Sequence, residues 1–151
     1  LRRERVDLCA LAVRTADLYR EVAEQKRIAL GLSLPPAAQV EADPVRLGQA
    51  LSNLVDNALK YTPDGGRVTI AAECEPGAVT LTVTDNGPGV PVAERDAVWR
   101  RLYRGDASRS QRGLGLGLTL VRAVAEAHGG SATVGDAPGG GAVFRLRLPA
   151  A

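Results

Sequence analysis

Methionine is absent from this chain, cysteine and histidine are scarce, and the charges nearly cancel: two cysteines, one histidine and a formal net charge of +2 in 151 residues. Each shortage excludes a class of protein. Cys9 and Cys74 have no CxxC partner and no neighbouring histidine, so neither a disulfide framework nor a zinc site is expected, and a reducing cytoplasm fits. No apolar run nears the roughly 20 residues needed to cross a bilayer. So small a net charge does not by itself point to nucleic acid, although the arginines from 95 to 112 make one basic stretch suited to a small anion. The want of any methionine, with Leu1 first, is expected of a piece of a longer protein. What remains is ordinary, with 45% hydrophobic and 24% charged residues. These are the makings of one soluble domain, which at this length hides about 68–70% of its unfolded surface.

Asp7 stands where an N-cap belongs, ahead of Leu8, Leu11, Ala12, Leu18, Val22 and Ala23 near one helical face, which predicts a helix to about Arg27. "IALGLSL" alternates Ile28, Leu30, Leu32 and Leu34 with small residues, a strand closed by Pro35 and Pro36, and a short extended piece follows around Val40. Asp43 then Pro44 opens a second helix that runs to about Lys60 and stops at Pro63. "RVTIAAEC" (67–74) and "AVTLTVTD" (78–85) alternate around "EPG" as a β-hairpin. A weakly helical stretch holds Trp99, residues 104 to 113 lack apolar periodicity, and helical spacing returns from about Leu114 to His128, ended by Gly129. "SATVGD" and "AVFRLRLP" make a second hairpin. Hairpins demand antiparallel neighbours, so the order predicts a two-layer α/β sandwich. About five strands, mixed but mostly antiparallel, lie under three helices. A doubly wound sheet is disfavoured.

On the second helix Leu47, Leu51, Leu54, Val55 and Ala58 form the core stripe, while Asn53, Asn57 and Lys60 at i, i+4 and i+7 form a polar one beside it. Two asparagines mid-helix cost helix propensity. Either they are a solvated flank, or the edge lines a ligand. A neutral amide oxygen suits Mg²⁺, which shares its shell with waters and substrate phosphates, and Lys60 one turn on could neutralise phosphate. "DNGPGV" (85–90) ends a strand in Asp85 and places Gly87 and Gly89 where backbone can approach a ligand. The carboxylate could accept a hydrogen bond from an exocyclic amine such as that of adenine, or the segment is a plain turn. "GLGLGL" (113–118) puts Gly113, Gly115 and Gly117 at a helix start, where free N–H groups favour phosphate. Its spacing is neither that of a Walker A loop nor G-x-G-x-x-G.

In this order, the asparagine helix, D-x-G-x-G after a strand, a basic loop and G-x-G-x-G opening a helix resemble the ATP site of the GHKL superfamily, whose two-layer sandwich is the Bergerat ATP-binding fold. "NLVDNALKYTP", "VWRRLYRGDASRS" and "GLGLGLTLVRAVAEAHGG" resemble most closely the catalytic ATP-binding domain of bacterial sensor histidine kinases, from about Val6 to Pro149. The resemblance implies one such domain over residues 1–151, with 105–113 as a mobile ATP lid and the dimerisation, phosphoacceptor and sensor domains upstream and absent here. It implies ATP and Mg²⁺ as cofactors. Asn57 would be the Mg²⁺ ligand, Asn53 its companion in the phosphate region, Lys60 and Arg104 would meet phosphate, Tyr61 would lie against adenine, and Asp85 would take the adenine amine. Gly87, Gly89 and Val90 would shape the pocket. Gly113, Leu114, Gly115, Leu116 and Gly117 would hinge the lid and offer amides to the phosphates, with Arg109 and Arg112 as further phosphate candidates. Asn57, Lys60 and Arg104 are the residues expected to serve the transfer itself.

Hydrolysing members of the superfamily carry a glutamate base at the position of Asn53. This chain is therefore expected to hold ATP for transfer to a histidine on a separate dimerisation domain, upstream of a response regulator. Asp56 is a looser candidate for an acid–base or polarising group and leans toward solvent. Ala142 stands where the family has a threonine or serine of the adenine-water network, and Trp99 and Leu102 where it has phenylalanines that pack below the lid. His128 precedes "GG" at a helix end and reads as a cap that favours the helix dipole; no H-[ED]-x-x-x-P phosphoacceptor signature occurs. Alone, the chain is not expected to autophosphorylate. The resemblance implies the cytoplasmic domain of a membrane-anchored homodimer, with no nucleic-acid partner. Two other readings stay open: a serine kinase of the anti-sigma-factor type, and a nucleotide-binding regulatory module without transfer activity.

Overall fold

Two aspartates decide where the first two helices begin. The computed structural model describes residues 1–100 and 116–151, residue 116 by its backbone alone. Asp7 ends β1 (Glu4–Asp7), and its carboxylate accepts the Cys9 N–H at 3.0 Å, opening α1 (Leu8–Gln25). Asp43 does the same for α2 (Pro44–Tyr61). Its Oδ1 takes the N–H groups of Val45 and Arg46 at 3.1 and 3.2 Å, and Pro44 fills the first helical position, where a missing N–H costs nothing. Each cap contributes about 1 kcal/mol. α3 (Leu116–Ala127) ends on Gly129 at φ 76°, and the Gly130 N–H returns to the Ala125 carbonyl at 2.9 Å.

The remaining strands are β2 (Ala29–Ser33), β3 (Gln39–Ala42), β4 (Arg67–Glu75), β5 (Ala78–Asp85), β6 (Ser131–Asp136) and β7 (Ala142–Pro149). Five of the strands form one sheet in the order β2-β4-β5-β7-β6, antiparallel except for the β2–β4 pair. Along β4 and β5, Val68, Ile70, Ala72, Val79, Leu81 and Val83 are buried, while Thr69, Thr80, Thr82 and Thr84 between them are partly exposed. β7 repeats the alternation with Phe144, Leu146 and Leu148 inside and Arg145 and Arg147 outside. The sheet thus has one apolar face, and α1, α2 and α3 cover it, giving the two-layer sandwich. The expected stripe of α2, Leu47, Leu51, Leu54, Val55 and Ala58, is wholly inside, each large side chain stabilising by roughly 1.5–3 kcal/mol. Among the described residues no helix is long and apolar enough to cross a membrane.

Two details differ from expectation. Nothing periodic in "ERVD" announces β1. The strand exists because it pairs antiparallel with β3, Glu4 opposite Ala42 and Asp7 opposite Gln39, in a ribbon separate from the main sheet. Leu18 and Val22, expected on the core face of α1, are 73% and 43% exposed. The buried stripe is Leu8, Cys9, Leu11, Ala12, Thr15, Ala16 and Ala23, and Leu18 lies roughly 100° from its centre at 100° per residue. Thr15 holds a core position because its hydroxyl is satisfied, donating to the Leu11 carbonyl at 2.9 Å.

His128 is buried where α3 meets the start of α2. Its Nε2 accepts the Asp43 N–H at 3.0 Å, so the ring proton sits on Nδ1 and is donated to the Val124 carbonyl at 2.7 Å. The expected cap on α3 is present, but it is an N–H donation from a neutral ring instead of a charge on the dipole. The same ring reaches across to brace the cap of α2.

Replacing His128 by Phe keeps an aromatic ring but strands the buried Asp43 amide and removes the side-chain bond to the Val124 carbonyl, which retains the backbone N–H of residue 128 at 3.2 Å. Urea unfolding of His128→Phe should show a loss of about 2 kcal/mol; a midpoint equal to that of the wild type would mean that the two bonds hold nothing together.

Candidate functional site

The polar edge of α2 is secured at both ends. Asn53 is half-buried, and its Nδ2 donates to the Gly117 carbonyl in the first turn of α3 at 3.3 Å. Gly117 packs flush against it, a Cβ there falling 3.6 Å from Asn53 Cβ and Cγ. Asn57, one turn on and also half-buried, has no hydrogen bond from its amide to any described residue. Lys60 points its ammonium at Asp56 Oδ2, 3.0 Å away, across one helical turn. Asp56 is therefore the resting partner of Lys60, a role its lean toward solvent did not suggest. The helix tail is gripped from α1. Lys26 Nζ donates to the Leu59 carbonyl at 2.5 Å and the Thr62 carbonyl at 3.0 Å, a cation at the negative end of the α2 dipole.

Around Asp85 three segments of backbone converge. Its carboxylate, 6% exposed at the end of β5, accepts the Gly87 N–H at 2.9 Å and the Ala142 N–H at 3.2 Å, both on Oδ1. Oδ2 takes neither amide and is not a buried orphan, so it stays open as an acceptor. Burial pushes the carboxyl pKa up, and the two amide hydrogen bonds offset this only in part. The glycines are there because backbone lies against backbone. A Cβ on Gly87 would come within 2.9 Å of the Tyr61 carbonyl, and one on Gly89, at φ +77°, within 3.2 Å of the Gly141 carbonyl. At Gly141, φ +102°, it would collide with the Asp85 carbonyl oxygen at 2.0 Å.

The sequence-predicted residues divide accordingly. Asn53, Asn57, Lys60 and Tyr61 share the last three turns of α2, and the Tyr61 carbonyl abuts Gly87 beside Asp85. Val90 is half-buried against the core. Gly117 meets Asn53, and Leu116 opens α3 by its backbone. Leu102, Arg104, Arg109, Arg112, Gly113, Leu114, Gly115 and the expected lid at 105–113 lie outside the described residues. Trp99 packs edge-on to Phe144, centroids 5.7 Å apart, and its carbonyl accepts the Thr119 hydroxyl at 2.9 Å. At Ala142 it is the amide, not a side chain, that serves Asp85. Sequence reasoning missed Lys26 and Gly141. The first acts across 33 residues and carries no local signal; the second had one, the glycine triplet at 139–141.

A purine with an exocyclic amine suits a buried carboxylate with one open oxygen inside a glycine cradle. For Mg²⁺, the described residues hold no group of three His, Cys, Asp or Glu side chains. The donor available is the single amide of Asn57, which suits a cation that takes most of its shell from phosphates and water.

Comparison with known proteins gives the family. The model of histidine kinase-, DNA gyrase B- and HSP90-like ATPases matches residues 42–151. The sensor histidine kinase TmoS of Ectopseudomonas mendocina is 36% identical over 148 residues, which is 96% of this chain but 15% of TmoS. The solved mycobacterial sensor histidine kinase MprB superposes with a TM-score of 0.89 at 36% identity, covering 97% of this chain and 98% of that one. Full-length ShkA, solved in complex with AMPPNP, superposes with a TM-score of 0.88 at 33% identity, covering 100% of this chain and 32% of ShkA. The chain spans a small part of such full-length relatives, and by the match over most of its own length it belongs to the family of histidine kinase-, DNA gyrase B- and HSP90-like ATPases.

Proposed function

We propose that the chain is the ATP-binding kinase domain of a two-component sensor histidine kinase, which binds Mg-ATP and gives its γ-phosphoryl group to a histidine of a separate dimerisation domain. The observation that carries this reading is Asp85, a buried carboxylate with one oxygen tied to Gly87 and Ala142 and the other open. That oxygen takes the adenine amine. Tyr61 lies along the base, Gly87, Gly89 and Val90 shape its wall, and Lys60 leaves Asp56 for phosphate. Asn57 is the Mg²⁺ ligand; the ion, when bound, offsets triphosphate charge. Arg104 and the backbone of residues 113 to 117 complete the phosphate end.

Transfer is favoured over hydrolysis because position 53 holds a neutral amide, engaged with the Gly117 carbonyl, where a water would need a carboxylate base. The attacking group is then an imidazole nitrogen of the partner domain. It bonds to the γ-phosphorus as the bond to the β–γ bridging oxygen breaks and ADP leaves, and the protein contributes position and charge. In the whole protein we place this domain on the cytoplasmic side of a membrane-anchored homodimer that passes its phosphoryl group to a response regulator. Incubation with Mg-ATP and a histidine-bearing dimerisation domain should yield an acid-labile, base-stable phosphoprotein. Acid-stable phosphoserine would overturn the assignment in favour of a serine kinase.

Three outcomes test the site. Asp85→Asn keeps an oxygen for the two amides but turns the open acceptor into a donor. Calorimetric titration should show ATP and adenosine weakened by at least about tenfold, with a thermal midpoint close to that of the wild type; undiminished affinity would sink the pocket. Lys60→Met should weaken ATP several-fold and leave adenosine untouched, whereas equal losses would place Lys60 away from the phosphates. Because only ionised Asp85 accepts from the amine, adenosine affinity should fall on acidification with a midpoint raised from the ordinary aspartate value. The folded carboxyl binds its proton more tightly than the unfolded one, so this group makes the fold less stable as pH rises through the same window. Asp85→Asn should abolish both dependences, and a pH profile identical in that variant would assign them elsewhere.

A further inference from the structure

We propose that Arg95 is a positioning residue for the nucleotide pocket, acting through the carbonyl of Val90; the inference rests on the ATP-binding reading above. Arg95 Nε donates to the Val90 carbonyl at 3.1 Å, and its Nη2 donates to Asp136 Oδ1, at the end of β6, at 2.6 Å. One planar guanidinium therefore joins the end of the glycine loop to the hairpin of β6 and β7. The connection closes a ring. From Asp136 the chain steps to Ala137, whose N–H donates to the Gly141 carbonyl at 3.0 Å. That carbonyl is the one a Cβ on Gly89 would approach to 3.2 Å, and Gly89 leads back to Val90. Every other link in the ring is backbone or backbone contact. Arg95 with Asp136 is the side-chain link.

The loop from Asp85 to Val90 needs such a link. It contains two glycines, one of them at φ +77°, and an unpinned glycine loop has conformational entropy to lose when a ligand binds. Its start is fixed by the Gly87 N–H on Asp85 and its middle by the contact with Gly141. Its end is fixed by Arg95. Holding the wall in its binding shape beforehand strengthens binding without any contact to the ligand. The pair should add little to stability, because the Asp136 side chain is 77% exposed and such ion pairs contribute little in water. A lysine cannot reproduce both contacts, since the fork of the guanidinium serves two acceptors in different directions.

The test is calorimetric titration of this chain with ATP, adenosine and inorganic tripolyphosphate, together with thermal unfolding without ligand, for the wild type, Arg95→Met, Arg95→Lys, Asp136→Asn and the Met/Asn double variant. Arg95→Met should weaken ATP and adenosine equally, by about three- to tenfold, and leave both tripolyphosphate and the thermal midpoint unchanged. Arg95→Lys should fall between, and the double variant should be no weaker than Arg95→Met. Wild-type adenosine affinity in Arg95→Met would overturn the proposal. So would a loss that tracks a drop in thermal midpoint, which marks a merely structural residue, or a loss confined to ATP and tripolyphosphate, which marks direct contact with phosphate. A wild-type chain that binds no adenosine would overturn the pocket itself, a result distinct from any of these.

Discussion

The Asp85 carboxylate receives the amides of Gly87 and Ala142 on a single oxygen, and three stretches of chain must converge for that to happen. Sheet register brings the first two together. Thr84 of β5 pairs with Val143 of β7, so Asp85 and Ala142 are the next pair along the ladder, and the amide arrives where the side chain can use it. A slip of one residue in that pairing would turn every core residue of β7 outward and remove the donor from Asp85 at the same time. The constraint then spreads. Gly141 has to be glycine because the Asp85 carbonyl occupies the space of its Cβ, Gly87 because the tail of α2 presses on it, and the tail of α2 is held there by Lys26. The core alternation of the sheet and the geometry of the pocket are one specification.

Much of this was legible in the sequence, and what was legible was local. Period-two runs fixed β4, β5 and β7, Asp43-Pro44 fixed the start of α2, and the stripe from Leu47 to Ala58 fixed its buried face, because each is set by residues within one turn or one strand of each other. The polar edge of Asn53, Asn57 and Lys60 was visible for the same reason, and Asp85 stood out as a carboxylate against a glycine turn. β1 was invisible because a single buried residue, Val6, makes no pattern; its pairing with β3 is the whole reason for it. Leu18 and Val22 are apolar yet face outward, while Thr15 with a satisfied hydroxyl holds the inward place, so apolar character alone does not mark burial on α1. Lys26, Arg95 and the second bond of His128 each act on carbonyls, carboxylates or amides supplied by another element. No periodicity records such a partner.

The two ends of the site are built from different materials, and this bears on how the proposed reaction would run. Around Asp85 the groups are backbone amides and glycines locked by the sheet, with little left to rearrange. Along α2 they are side chains engaged elsewhere: Lys60 on Asp56 and Asn53 on Gly117. Lys60 can change partner at small cost, since an exposed pair across one helical turn is worth a few tenths of a kcal/mol. Asn53 cannot so easily. Its amide is the donor in a contact between α2 and α3, and a carboxylate at that position would set two acceptors face to face and cost more than the bond it replaced. On the proposed reading, the amide that withholds a base from water thus also takes part in the contact between the two helices. On that reading, a glutamate placed there by a single substitution would lose the bond to the Gly117 carbonyl and set a carboxylate against it, a cost to the α2–α3 contact that a hydrolytic base would have to bear.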